Sequence, residues 1–168
     1  MEFKKGEIKL NKESTSEVKF TKSKSIRFGL KFPPGAITDS KFENLCTGCE
    51  DCINACPYNV LFPVMSPKYK KNIPYLDPNV KACMLCKDWP CIDSCEVKAL
   101  MPLKKKNPNI GKAKGFFQYC VNSKINEQVC SACKDSCPVK SAVKFHINQP
   151  IFQKNCVGCG ICVQACPT

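Results

Sequence analysis

The clearest alternation of apolar and polar positions lies near the N-terminus, where Ile26, Phe28, Leu30 and Phe32 interleave with Ser25, Arg27, Gly29 and Lys31. A period of two predicts a half-buried strand. Ile8/Leu10 and Val18/Phe20 repeat the pattern more briefly, in a segment dominated by lysine, glutamate, serine and threonine. Residues 1–45 therefore read as a basic, β-rich arm that is either solvated or docked on a partner subunit. Pro33-Pro34-Gly35 ends the strand pattern. Thr38 to Leu45 is then expected to form a short helix, with Asp39 or Ser40 near its start.

Beyond residue 45 the periodic signals shrink to fragments that repeat. Four units follow one another, each a cysteine loop, a helical turn and a brief strand. Their tails share a pattern: Cys56-Pro57-Tyr58-Asn59-Val60-Leu61, Cys95-Glu96-Val97-Lys98-Ala99-Leu100 and Cys137-Pro138-Val139-Lys140-Ser141-Ala142-Val143. Apolar residues four to six positions past the last cysteine are placed to cover a bound group. The fourth unit reaches Thr168 without such a tail, which leaves its cover to a partner or to solvent. Pro63, Pro67, Pro74 and Pro78 bracket Lys68–Lys71, and Lys104-Lys105-Lys106-Asn107-Pro108 precedes the third unit. Both stretches are expected to be surface loops. The longest apolar run, Asn59 to Met65, is far too short to cross a membrane and is broken by Pro63.

Composition then changes the picture. The chain has 168 residues and 16 cysteines, too many for ordinary core packing, so metal must supply much of the stability. The cysteines form four tetrads. Cys46, Cys49, Cys52 and Cys56 before Pro57, and Cys156, Cys159, Cys162 and Cys166 before Pro167, both read CxxCxxCxxxCP. This is the bacterial ferredoxin run, whose fourth cysteine crosses to the neighbouring [4Fe-4S] cluster. Cys83, Cys86, Cys91 and Cys95 form a second tetrad with a longer middle gap, containing Trp89-Pro90, and with Glu96 in place of proline. Trp89 is expected to be a hydrophobic cover. Cys120, Cys130, Cys133 and Cys137 form the third, and its long first gap makes Cys120 the weakest ligand assignment.

Disulfides suit this pattern poorly, because tight tetrads followed by proline are not the spacing of a secreted scaffold. Zinc sites separate two CxxC pairs by a dozen or more residues, whereas a CxxCxxC triple coats one face of a larger cube. Zinc is not expected at the first and last tetrads and stays open for the third. The expected cofactors are four [4Fe-4S] clusters, in an α+β, ferredoxin-like fold of two bacterial-type two-cluster modules. The arm would occupy residues 1–45 and the cluster domain 46–168.

Crossing of the fourth cysteine leaves two pairings of motifs open. Neighbour pairing joins the first motif to the second and the third to the fourth. Nested pairing joins the first to the fourth and the second to the third, and it is preferred here because it matches regular with regular and altered with altered. It predicts the sets Cys46, Cys49, Cys52, Cys166; Cys156, Cys159, Cys162, Cys56; Cys83, Cys86, Cys91, Cys137; and Cys120, Cys130, Cys133, Cys95.

The formal charge of +12 would ordinarily suggest nucleic acid or another acidic partner. Four oxidised clusters of about −2 each bring the loaded protein to roughly +4, so the lysine excess reads as compensation and no nucleic-acid partner is expected. Arg27 is the one arginine, which excludes a twin-arginine signal within this sequence and predicts a cytoplasmic address. His146 is the one histidine; it is expected to be a surface or strand residue, and neither a Rieske centre nor a histidine triad can be built. Nucleotide-binding and hydrolase motifs are missing. With every cysteine assigned to a cluster, the chain is expected to carry electrons and leave catalysis to a partner.

Phe32-Pro33-Pro34-Gly35-Ala36, Ala82-Cys83-Met84-Leu85-Cys86, Trp89-Pro90-Cys91 and Cys156-Val157-Gly158-Cys159-Gly160 resemble the four-cluster ferredoxin-type subunits of periplasmic nitrate reduction and methylamine utilisation, over roughly residues 30–168. Members usually carry a twin-arginine leader, and Glu96 departs from their proline. The small electron-transfer subunits of tungsten-containing aldehyde oxidoreductases look similar in size and cluster number and lack an export signal, so the sequence favours them. That resemblance implies a large catalytic subunit with a tungsten- or molybdenum-pterin as partner, and ferredoxin or another acceptor at the far end. Small subunits of benzoyl-CoA reductase complexes are of the same class. The alternatives are a free-standing polyferredoxin, a quinol- or nitrate-reductase-type ferredoxin subunit and, last, a cluster-containing regulator that binds nucleic acid.

Overall fold

Short elements and tight turns dominate the computed structural model, which describes residues 29–103 and 108–168. The alternations at Ile8/Leu10 and Val18/Phe20, the Ile26 and Phe28 positions and the Lys104–Lys106 run lie outside the described residues. In chain order the elements are α1 (Asp39–Leu45), α2 (Asp51–Asn54), β1 (Phe62–Ser66), β2 (Lys71–Tyr75), α3 (Pro90–Asp93), a 3₁₀ turn (Phe117–Tyr119), α4 (Val121–Ile125), α5 (Ala132–Asp135), β3 (Val143–His146), β4 (Gln149–Phe152) and α6 (Ile161–Gln164).

Four of the helices are single turns in one register. The third cysteine of each motif, Cys52, Cys91, Cys133 or Cys162, is the helix's second residue, and the fourth, Cys56, Cys95, Cys137 or Cys166, stands two positions past its end. Turns this short do not persist alone. They pack in pairs, α2 against α3 and α5 against α6. After the fourth cysteine the chain turns through a left-handed residue, Asn59, Lys98 or Ser141. The next two side chains, Val60 and Leu61, Ala99 and Leu100, or Ala142 and Val143, are then buried, as the shared tail pattern predicts.

The Pro63 to Pro78 stretch is not a surface loop. Phe62–Ser66 and Lys71–Tyr75 pair antiparallel with Val64 opposite Ile73 and Pro63 opposite Pro74, and Ile73 and Tyr75 are buried. In a two-stranded sheet both strands are edges, so each proline can turn its missing N–H outward. A second hairpin pairs Val143 with Phe152 through His146 with Gln149, which makes His146 an exposed strand residue.

The described end of the arm packs on its own chain. Lys31 and Leu76 exchange both backbone hydrogen bonds, at 2.7 and 2.8 Å, and Phe32 stacks on Tyr75 (centroids 4.8 Å apart) and meets Phe42 edge-on at 4.9 Å. Helix α1 begins after Thr38, whose carbonyl accepts from Phe42 N–H at 2.7 Å. Phe42 is buried among Ile73, Leu76, Ile92 and Leu100. The described end of the arm, residues 29–45, thus packs on the core of the first half through Leu30, Phe32, Ala36 and Phe42.

Residues 108–168 form the second half around Ile110, Ala142, Val143 and Val157. The halves meet where Cys83 N–H donates to the Cys159 carbonyl at 2.8 Å and where Gly160, at φ +89, lies so close that a Cβ would stand 2.2 Å from Pro78 O. Only glycine fits that approach.

Candidate metal centres

Each motif presents its first three thiols from one loop and helical turn, and the paired helices exchange the fourth. Cys46, Cys49 and Cys52 line one cavity with Cys95 (site I). Cys83, Cys86 and Cys91 line another with Cys56 (site II). Cys120, Cys130 and Cys133 share a cavity with Cys166 (site III), and Cys156, Cys159 and Cys162 one with Cys137 (site IV). The tetrads thus exchange ligands between neighbouring motifs, and the nested sets preferred from the sequence are overturned. The cause is helix packing: α2 lies on α3 and α5 on α6, so each fourth cysteine emerges beside the loop of its sequence neighbour.

Apolar side chains close the cavities. Phe42, Ala99 and Leu100 line site I; Val60, Leu61 and Trp89 line site II; Val139, Ala142 and Val143 line site IV. Trp89 thus serves as the hydrophobic cover expected of it, and its backbone takes a left-handed φ of 50° to open α3. Site III opens into a wider cavity of about 250 Å³ lined also by Phe116, Phe117 and Phe145.

Burial disfavours the thiolates. It pushes the Cys52 and Cys91 thiols up to about 12 and those of Cys83 and Cys162 up to about 11, with neighbouring cysteines adding to the effect. Cys46, Cys86, Cys133 and Cys159 are raised as well, first by burial. Against this, the backbone N–H groups of Gly48, Leu85 and Ile161 donate to Cys46, Cys83 and Cys159. Leu100 N–H and Ala113 N–H approach the sulfurs of Cys95 and Cys156 at 3.5 and 3.4 Å. Lys71 favours the Cys46 thiolate, and its Nζ also bonds Cys46 O.

Four thiols around an apolar cavity, most of them buried or half-buried, with amides aimed at sulfur, fit an anionic cluster whose iron offsets the cost of the thiolates. A wider body such as a cube suits the tetrads better than zinc.

Neighbouring sites lie close enough in a line for their thiols to repel one another. Cys91 of site II adds to the repulsion on Cys52 of site I, Cys159 of site IV does so on Cys83 of site II, and Cys133 of site III on Cys162 of site IV. The spatial order is therefore I, II, IV, III, which differs from the order of the motifs.

Cys120 does reach its tetrad. The long gap after it holds a residue that spacing alone does not single out, Asn122, which is 1% exposed and hydrogen-bonds the backbone at Cys130. A polar residue in a short amphipathic turn looks like surface until its burial is known.

Residues 45–99 match the 4Fe-4S dicluster domain family and residues 150–168 the 4Fe-4S binding domain family; the third tetrad lies between these spans. The chain is 30% identical over 149 residues to the methylamine utilization ferredoxin-type protein MauM of Methylophilus methylotrophus, covering 80% of this chain and 65% of that protein. Its counterpart in Paracoccus denitrificans is 29% identical over 150 residues, with the same coverage. The ferredoxin-type protein NapG of Escherichia coli is 26% identical over 152 residues, 80% of this chain and 64% of that protein. The chain thus spans just under two thirds of the length of these relatives. No solved structure matches it. Among the described residues no helix is long and apolar enough to cross a membrane. These relatives back the ferredoxin-type reading that the sequence ranked second and lend no support to a tungsten aldehyde oxidoreductase partner. The tetrads and the two matched domains identify the chain as one that binds [4Fe-4S] clusters and is similar to ferredoxin-type proteins.

Proposed function

We propose that sites I to IV hold one [4Fe-4S] cluster each, on all sixteen cysteines, and that the chain relays electrons between a catalytic redox partner and an acceptor along the order I, II, IV, III. Each cluster, when bound, takes up and gives back a single electron. The observation that carries the reading is the unbroken line of thiol tetrads, joined across the halves by the Cys83 to Cys159 hydrogen bond of 2.8 Å.

The chain's own residues do the rest. Val60, Leu61, Ala99, Leu100, Ala142 and Val143 exclude water, and the amides aimed at sulfur stabilise negative charge. Substrate chemistry belongs to the partner, as the methylamine utilization name of the relatives suggests for a ferredoxin-type subunit serving an enzyme.

Metal analysis of anaerobically purified protein tests the assignment. About sixteen iron and sixteen sulfide per chain are expected, with one-electron signals on reduction. About four zinc and no sulfide would overturn it.

A further inference from the structure

In three motifs the backbone around the second cysteine faces sulfur. The residue before it donates its N–H to the first thiol in two of them, Gly48 to Cys46 and Leu85 to Cys83. The second cysteine's own N–H faces its own thiol at Cys86 and Cys159. In the third motif the corresponding amides, those of Val129 and Cys130, point elsewhere. Both donate to Asn122 Oδ1, at 3.0 and 2.8 Å, and Val129 N–H also reaches Glu127 O at 3.2 Å. Asn122 Nδ2 in turn donates to Cys130 O at 2.8 Å.

Its surroundings make this arrangement specific. Asn122 is among the largest fully buried side chains of the molecule and satisfies both ends of its amide on one stretch of backbone. The tight left-handed turn that precedes the second cysteine elsewhere, at Gly48, Leu85 and Gly158, has no counterpart at Val129. The side chain replaces that turn, and in doing so it consumes the amides that the turn would aim at the cluster.

We infer that Asn122 is a positioning residue that lowers the reduction potential of site III by withdrawing two backbone N–H groups from its sulfurs. An N–H aimed at sulfur favours the reduced cluster, which carries one more negative charge, and so raises its potential. Site III lacks two such donors that site II has. This effect makes site III, at one end of the line, harder to reduce than site II. The inference rests on the cluster assignment proposed above.

The test is a redox titration of the whole protein followed by electron paramagnetic resonance, with the site III signal identified as the component lost in Cys120→Ala. Asn122→Ala releases both amides, and the site III potential is expected to rise, by a tenfold or greater gain in the reduced-to-oxidised ratio at fixed poise, about 59 mV per tenfold for one electron. An unmoved or lower potential with about sixteen iron retained overturns the inference while leaving the cluster assignment intact. Iron far below sixteen in the native protein would instead undo that assignment. If Asn122→Ala loses site III, the native protein decides: exchangeable-proton couplings measured on each reduced centre should be fewer at site III than at site II, and equal numbers overturn the inference.

Discussion

The two halves solve the same problem with different materials. Residues 29–103 surround their tetrads with a side-chain core of Phe42, Ile73, Tyr75, Leu76, Ile92 and Leu100, whereas the cluster of buried residues takes only Ile110, Val157 and Cys159 from residues 108–168. Charge divides just as unevenly. The first half balances lysine against aspartate and glutamate, and the second sets its lysines against Glu127 and Asp135 alone. Two clusters of about −2 each would leave the first half strongly negative and the second near neutral. The lysine excess therefore compensates the cofactors across the molecule and not site by site. The first half carries its own packing; the second depends on its metal.

The sharpest way to break this comparison is to remove a crossing ligand. Cys56→Ala should empty site II and leave residues 108–168 with about eight iron, because its site draws nothing from that half; loss of the cluster on Cys156, Cys159 and Cys162 instead would restore the nested sets. Phe42→Ala should cost about 4 kcal/mol of stability through the cavity it leaves, read by denaturant unfolding of the loaded protein. Gly160→Ala should cost about 2 kcal/mol, since φ is +89 and the new Cβ would meet Pro78 O. It should also slow electron passage from site II to site IV in flash reduction more than Phe42→Ala does. Hydrogen exchange during chelation should expose the amides of β3 and β4 before those of β2, with the reverse order arguing against a metal-dependent second half.

The mildest effect concerns pH. Thiols raised to about 11 or 12 are protonated at neutral pH, and each must release its proton on binding iron. Iron affinity should then increase as pH rises, with proton uptake expelling iron as it falls. A titration of iron loading between pH 6 and about 9 with a flat response would contradict this.

Local chemistry was readable because spacing is a local property. A CxxCxxC triple fixes three thiols on one loop, and the apolar residues after Cys56, Cys95 and Cys137 lie where Val60, Leu100 and Val143 are buried. Pairing of motifs was not readable, because it depends on α2 choosing α3 over α6, and helices of four residues carry no pattern that names a partner. The hairpin of Phe62 to Tyr75 was hidden by its prolines, which argue against a strand only when neighbours lie on both sides. Asn122 was hidden by composition, since nothing in a single asparagine tells a buried backbone clamp from a solvated side chain. Trp89 and the tail residues, by contrast, behaved as their types suggest.

Exchange of the fourth cysteine has a consequence for how the protein is filled. Site I is incomplete until the loop of the second motif delivers Cys95, and site II until the first delivers Cys56, so loading either one prepares the other. Delivery of cofactor should be cooperative within a half and nearly independent between halves. Partially loaded preparations would then sort into chains with about none, eight or sixteen iron, and native mass spectrometry would show gaps near four and twelve.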